Sequence, residues 1–350
     1  MKFSKKLIIW YLEHQRNMPW RQTKDPYSIW LSEIILQQTR VSQGLPYYLA
    51  FKTAFPTVFE LAAATEEEVL KLWQGLGYYS RARNLHYTAQ YIVRELNGVF
   101  PKTYDQLLKL KGVGDYTASA IASICYNEVV PVIDGNVYRV LSRVFGLDTP
   151  INSSPALKEY KSLASQLIDV SRPATFNQAM MEFGAIQCKP QSPDCTICPF
   201  ADRCFALQHA KVSELPVKLK KTKIKKRYFN YFVVRLPDNT LLIQQRKNVG
   251  IWEGLYEFPL IESNKLMEPE ALEKEEAFSH LVRNKSFSLT RYKEAPIVHK
   301  LSHQHLYTRF YVLDICEAPN LKVDQSLIPV ATIRDYPVPV LIGNFIESFF

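Results

Sequence analysis

The stretch from Leu107 to Leu147 constrains the fold of this chain more than any other. It reads as a helix, a Gly112-Val113-Gly114 turn, a second helix, an apolar run from Val129 to Ile133, and then Asp134 at the entrance of a third helix. Two glycines around one valine let the backbone turn tightly with its amides outward. Asp115 and Tyr116 then open a helix whose N-terminal end favours anions. The combination suits a grip on a phosphate backbone, although each part alone is also an ordinary turn or an ordinary N-cap. After Asp134-Gly135-Asn136, the residues Val137, Val140, Leu141 and Val144 recur at helical spacing and mark one buried face.

With 350 residues and 47% hydrophobic content, the chain can bury a large core and divides into two domains or more. The net charge of +9 suits a polyanionic partner, but seven of the ten residues Lys218–Arg227 are basic, so most of the excess is one local run. That run reads equally as a solvated linker or as a strap along DNA. No segment is long enough to span a membrane, and the apolar run Leu7–Leu12 is too short for a signal peptide, so a cytoplasmic protein is expected. Of six cysteines, four stand at Cys188, Cys195, Cys198 and Cys204. In a reducing compartment such a cluster indicates metal rather than disulfides. With a single C-x-x-C pair, the spacing can hold zinc or an iron-sulfur cluster.

In chain order, Ser4–Glu13 predicts an amphipathic helix. Ser28–Val41 predicts another, with Leu31, Ile34, Ile35, Gln38 and Val41 on one face and Glu33, Gln37 and Arg40 on the other. Taken alone, this could be a surface helix with Glu33 paired to a neighbour. Trp73–Leu85 combines Gly75 and Gly77 with Tyr78, Tyr79, Arg81 and Arg83, flat rings beside charge, which suits nucleic acid; one of the tyrosines is expected in the core. Helices continue to Glu182. From Tyr228 the texture changes to strands, Tyr231–Leu236 and Leu241–Gln245 around a turn, then Leu306–Asp314, and Pro339–Phe349 closes as a helix. His299, His303 and His305 lack a carboxylate or cysteine partner nearby and do not read as a metal site.

The turn followed about twenty residues later by an aspartate resembles the helix-hairpin-helix DNA glycosylase superfamily. The string PWRQTKDPYSIWLSEIILQQTRV, Pro19–Val41, resembles the adenine DNA glycosylase (MutY) family almost residue for residue. The resemblance implies a multidomain protein. An all-α glycosylase domain would cover 1–212, with a six-helix barrel, the hairpin near 107–125 and a [4Fe-4S] loop on the four cysteines. A basic linker, 213–227, and an α+β Nudix-like domain, 228–350, would follow. Arg246–Pro259 resembles that Nudix-like domain, and the glutamate-rich metal box of a true Nudix hydrolase is absent. The resemblance assigns Glu33 as general acid and Asp134 as the second catalytic carboxylate, with Tyr116 and Asn136 orienting them. Arg21 and Glu182 would contact adenine. Gln38, Thr39, Tyr78, Gly112 and Gly114 would contact DNA, Tyr78 as a wedge. Leu301, Ser302 and His303 would read the opposite base, in place of the family's Phe-Ser-His. Phe278-Ser279-His280 matches those letters better but has no strand after it.

The implied activity is monofunctional removal of adenine opposite 8-oxoguanine, and more weakly opposite guanine, by a monomer acting on double-stranded DNA in base excision repair. Relatives that also cleave the strand carry a lysine where Tyr116 stands, since an imine needs an amine. The alternatives are a bifunctional pyrimidine glycosylase with AP lyase activity and a non-catalytic iron-sulfur DNA-binding protein.

Overall fold

The computed structural model describes residues 2–219, 224–247, 249–283 and 285–350. Residues 220–223, the middle of the basic run, lie outside the described residues. The chain forms two compact units, 1–63 with 84–220, and 64–83 with 221–350.

The first unit is helical: α1 (Phe3–His14), α2 (Pro26–Leu36), α3 (Val41–Ala54), α4 (Val58–Ala63), most of α6 (Ser80–Leu96), α7 (Tyr104–Leu107), α8 (Asp115–Tyr126), α9 (Gly135–Phe145), α10 (Ala156–Leu167), α11 (Pro173–Glu182) and the short α12 (Phe205–Gln208). Its core draws on α1, α9, α10 and α11, with Leu7, Trp10, Val140, Tyr160 and Phe176 buried together, and Phe200 of the cysteine loop joins them. The helix expected to reach Val41 stops at Leu36. Gln38 adopts φ 54°, a left-handed conformation that costs a non-glycine residue energy. Gln38 and Val41 therefore do not extend the buried face of α2, and a new helix starts at Val41.

The second unit takes α5 (Glu66–Leu72) and residues up to 83 from the N-terminal half. This departs from a continuous 1–212 domain. In its sheet, β1 (Lys225–Arg235) runs parallel to β7 (Gln304–Ile315), with Lys225 opposite Gln304 and Arg235 opposite Asp314. Lys225–Arg227 are thus strand rather than linker, because β7 offers backbone partners along its whole length. The other edge of β1 pairs with β2 (Thr240–Gln245) and β4 (Leu260–Ser263); β2 pairs with β3 (Tyr256–Glu257) and β8 (Gln325–Pro329). β5 (Phe287–Arg291) and β6 (Ile297–Lys300) run antiparallel to β7. Helices α13 (Pro269–Leu272), α14 (Glu276–Val282) and α15 (Val340–Phe349) complete this α+β unit. Phe278 is buried in its core with its ring tilted against Phe232, and Ser279 and His280 sit on a helix rather than a reading loop.

Candidate active site

Helix α2 is the first positioning element. Asp25 caps it by accepting from the Ser28 amide at 2.9 Å, and Pro26 occupies its first turn, where a missing N–H costs nothing. Residues 27–35 are all buried, so this is an interior helix with one carboxylate, Glu33, in its apolar body. Burial raises the Glu33 carboxyl to about 7. The Tyr116 hydroxyl, which donates to Oε2 at 2.5 Å, pulls it down, and the charge of Asp134 pushes it up. Tyr116 also approaches Met181 Sδ at 3.5 Å. The surface-helix reading is thereby replaced: no salt bridge to Glu33 occurs among the described residues.

Asp134 is indeed an N-cap. Its Oδ1 accepts from the amides of Asn136 at 2.9 Å and Val137 at 2.7 Å, and its Oδ2 from Asn136 Nδ2 at 2.7 Å. Burial raises its carboxyl above the ordinary range while these three N–H donors oppose the shift. Asn136 is oriented in turn by Arg139, which donates to its Oδ1 at 2.8 Å and also to the carbonyls of Gly184 at 2.6 Å and Cys188 at 2.7 Å. A side chain at Gly184 would lie 2.6 Å from Asn136 Cβ, so the backbone there can approach only as glycine. Gly184 lies in a single π-helical turn, Phe183–Gln187, that continues α11.

Glu182, at the end of α11, is almost wholly buried and saturated as an acceptor. Arg16 donates through its amide, Nε and Nη2 at 2.7–2.9 Å, and Arg21 through Nη1 at 3.1 Å and Nη2 at 2.8 Å. Burial pushes its carboxyl up, but the two guanidinium groups overcome that and hold it at about 2. Glu33, Tyr116, Asp134, Asn136, Glu182, Arg16 and Arg21 line one cavity of about 490 Å³, together with Thr39 and Arg40.

Arg16 and Arg139 were not singled out by the sequence reading. Arg16 carries no spacing signal, since it follows α1 in a loop. Arg139 and Arg143 carry one: two arginines four apart on the helix face opposite Val137, Val140, Leu141 and Val144, both buried. In the hairpin, Gly112 adopts φ 79° and packs against Asn84, whereas the space around Gly114 at the start of α8 is open.

Tyr78, Leu301, Ser302 and His303 lie in the second unit. Tyr78 adopts φ 48° and is 45% exposed, while Tyr79 is buried. Residues 301–303 form the turn between β6 and β7, with Ser302 and His303 exposed. Arg81 packs over the rings of Trp73 and Tyr78 and donates to the carbonyls of Leu76 and Gly77, and Arg83 pairs with Glu253. These arginines are held by protein partners.

Cys188, Cys195, Cys198 and Cys204 are unpaired. Burial raises Cys195, Cys198 and Cys204, and neighbouring thiols of the same set raise them further. Backbone amides of Phe200, Ala206 and Leu207 point at Cys198 and Cys204, and Arg143 Nη1 lies 3.5 Å from Cys188 Sγ. Among the described residues, no three histidine, cysteine or acidic side chains surround a single ion point. Nor is any helix there long and apolar enough to cross a membrane.

Residues 31–166 match the family described as HhH-GPD superfamily base excision DNA repair protein, and residues 230–348 match the NUDIX domain. The solved structure of a thermostable thymine-DNA glycosylase superposes with a TM-score of 0.55 at 27% identity, covering 59% of this chain and 95% of that one. Fold and cavity together define a helix-hairpin-helix base excision glycosylase joined to a Nudix-like domain. The adenine DNA glycosylase of Buchnera aphidicola subsp. Baizongia pistaciae is 34% identical over 311 residues, 87% of this chain and 84% of its own length. That of Homo sapiens is 43% identical over 222 residues, 61% of this chain and 41% of its own. The chain belongs to the adenine DNA glycosylase family, base excision repair hydrolases of N-glycosyl bonds.

Proposed function

We propose that this enzyme removes adenine mispaired with 8-oxoguanine, and more weakly with guanine, from double-stranded DNA without cleaving the strand. The observation that carries the reading is the pair of carboxylates on one cavity with unequal donor sets: Glu33 accepts one O–H, Asp134 three N–H groups. On this reading the three N–H donors assign the negative charge to Asp134, and Glu33, with one O–H donor and burial raising it to about 7, is the proton carrier. Paired carboxyls with opposite protonation states serve acid and electrostatic roles in glycosidic cleavage.

Adenine leaves readily only when a ring nitrogen, N7, takes a proton as the bond stretches. Glu33 supplies it, a contribution of ~10²–10⁴-fold. Asp134 supplies the second contribution by stabilising the positive sugar, through a covalent adduct that water then opens, while Asn136 and Arg139 fix its rotamer. Arg21 and Glu182, braced by Arg16, form the adenine-facing wall. Because Glu182 is saturated, it acts by aiming Arg16 and Arg21 rather than by accepting a bond itself. Gln38, Thr39 and the Gly112–Gly114 turn contact the DNA. Tyr78 enters the stack as the wedge, and Leu301, Ser302 and His303 read the opposite base. Unstacking costs a few kcal/mol, offset by these contacts.

Cys188, Cys195, Cys198 and Cys204 fit a [4Fe-4S] cluster. Each iron takes one thiolate, so the sulfurs need not meet at one point, and amide donors are in place. Bound there, the cluster would anchor the loop carrying Lys189 and Arg203.

The test of opposite-base reading replaces Ser302 and His303 together by alanine. The preference for A opposite 8-oxoguanine over A opposite G should fall by roughly 1–3 kcal/mol in the single-turnover rate ratio, with A opposite G little changed. An unchanged ratio contradicts this assignment.

A further inference from the structure

The segment 64–83 belongs in sequence to the helical half but packs within the second unit. Its anchors there are specific. Lys71 Nζ donates to the carbonyls of Arg334 and Tyr336, and Gln74 Oε1 accepts from the Val338 amide at 3.3 Å. Leu70 and Glu66 close on Gly254, where an added Cβ would meet them at 3.0 and 3.1 Å. Arg83 makes the strongest link: Nη1 donates to the Glu253 carbonyl at 2.6 Å and Nη2 to its carboxylate at 2.8 Å, with the side chains 18% and 31% exposed. Five residues before Arg83, the Tyr78 hydroxyl lies 2.6 Å from Ser302 Oγ. Tyr78, Arg83, Trp252, Leu301 and Ser302 line one cavity of about 350 Å³.

We infer that the Arg83–Glu253 pair is a positioning device for opposite-base discrimination. It fastens the segment bearing Tyr78 to the turn at 250–254, so that the wedge and the 301–303 turn are presented as one assembly. The inference rests on the reading that Tyr78, Ser302 and His303 meet the base opposite adenine. Neither residue lines the cavity of Glu33 and Asp134, so loss of the pair loosens the relative placement of Tyr78 and Ser302 and leaves the two catalytic carboxyls in place.

The test uses the full chain and single-turnover excision from duplexes with A opposite 8-oxoguanine and A opposite G. Arg83→Glu should lower the ratio of the two rates roughly three- to tenfold, the range for a half-buried ion pair, the A opposite G rate falling less than the A opposite 8-oxoguanine rate. Adding Glu253→Arg should restore the ratio to within about twofold, which a general loss of stability would not do. An unchanged ratio in Arg83→Glu, or a lost ratio that the swap fails to restore, overturns the inference. Should Arg83→Glu not fold, Glu253→Gln keeps the carbonyl bond and removes only the charge. It should lower the ratio about two- to threefold, and a wild-type ratio overturns the inference. The Ser302→Ala, His303→Ala protein is measured alongside. If it keeps the full preference, the underlying reading fails; if it loses the preference while Arg83→Glu retains it, only the positioning role fails.

Discussion

The pH dependence of base release should follow the Glu33 carboxyl, and its direction under mutation can be worked out from the site. An ordinary carboxyl at 4.5 is only about 0.3% protonated at pH 7, whereas Glu33 at about 7 is half protonated. Burial therefore enlarges the acid-form population about 150-fold, roughly 3 kcal/mol of barrier. Since the protonated form reacts, the single-turnover rate should be level below about pH 6 and fall tenfold per unit well above 7. Two variants should move that falling limb in opposite directions. Tyr116→Phe removes the bond that lowers Glu33 and should shift the limb to higher pH. Asp134→Asn removes the charge that raises it and should shift the limb to lower pH, on top of a large loss of rate. Quench-flow or gel-based excision on a duplex with A opposite 8-oxoguanine, at pH 5.5 to 9, gives the limb positions. A wild-type limb near 4.5, or limbs that move together in the two variants, would refute the assignment of Glu33 as the acid.

Glu182 is held below its ordinary value by Arg16 and Arg21, so the stability it confers is complete above about 4.5 and is lost as pH falls toward 2. Glu182→Gln should cost roughly 3 kcal/mol at pH 7 and progressively less below pH 4, read by urea denaturation followed through tryptophan fluorescence. Tyr116→Lys places an amine beside Glu33 and should allow borohydride to trap a protein–DNA adduct; a folded variant without adduct would count against that position as the lysine site of strand-cleaving relatives. The purified protein should be yellow-brown with four irons, and Cys125→Ser or Cys316→Ser should keep the colour whereas Cys198→Ser should lose it. Colourless protein carrying zinc would overturn the cluster assignment.

Much of the site was legible because its chemistry is local in sequence. Asp134 announces itself as a polar residue before an amphipathic helix, and the four cysteines lie within one loop. Glu33 stood out as the lone carboxylate of a dense motif, although the full burial of α2 depends on α3, α8 and their neighbours, which no periodicity reveals. The end of α2 at Leu36 was missed because nothing in Gln37-Gln38-Thr39 breaks a helix; the left-handed Gln38 is imposed by tertiary structure. Arg16 was missed because its partner is 166 residues away. The grouping of 64–83 with the second unit was hidden for the same reason: Lys71 and Arg83 satisfy backbone carbonyls and a carboxylate far along the chain.

The most direct measurement is the fate of adenine and of its strand. Purified protein is incubated with a duplex carrying A opposite 8-oxoguanine, free adenine is quantified by mass spectrometry, and the strand is resolved with and without alkali. One adenine released per duplex, a strand cut only after alkali, and a Glu33→Gln protein that binds the duplex but releases almost none is the predicted outcome. Adenine release at the wild-type rate by Glu33→Gln, strand cleavage without alkali, or no release by the wild-type protein would contradict it.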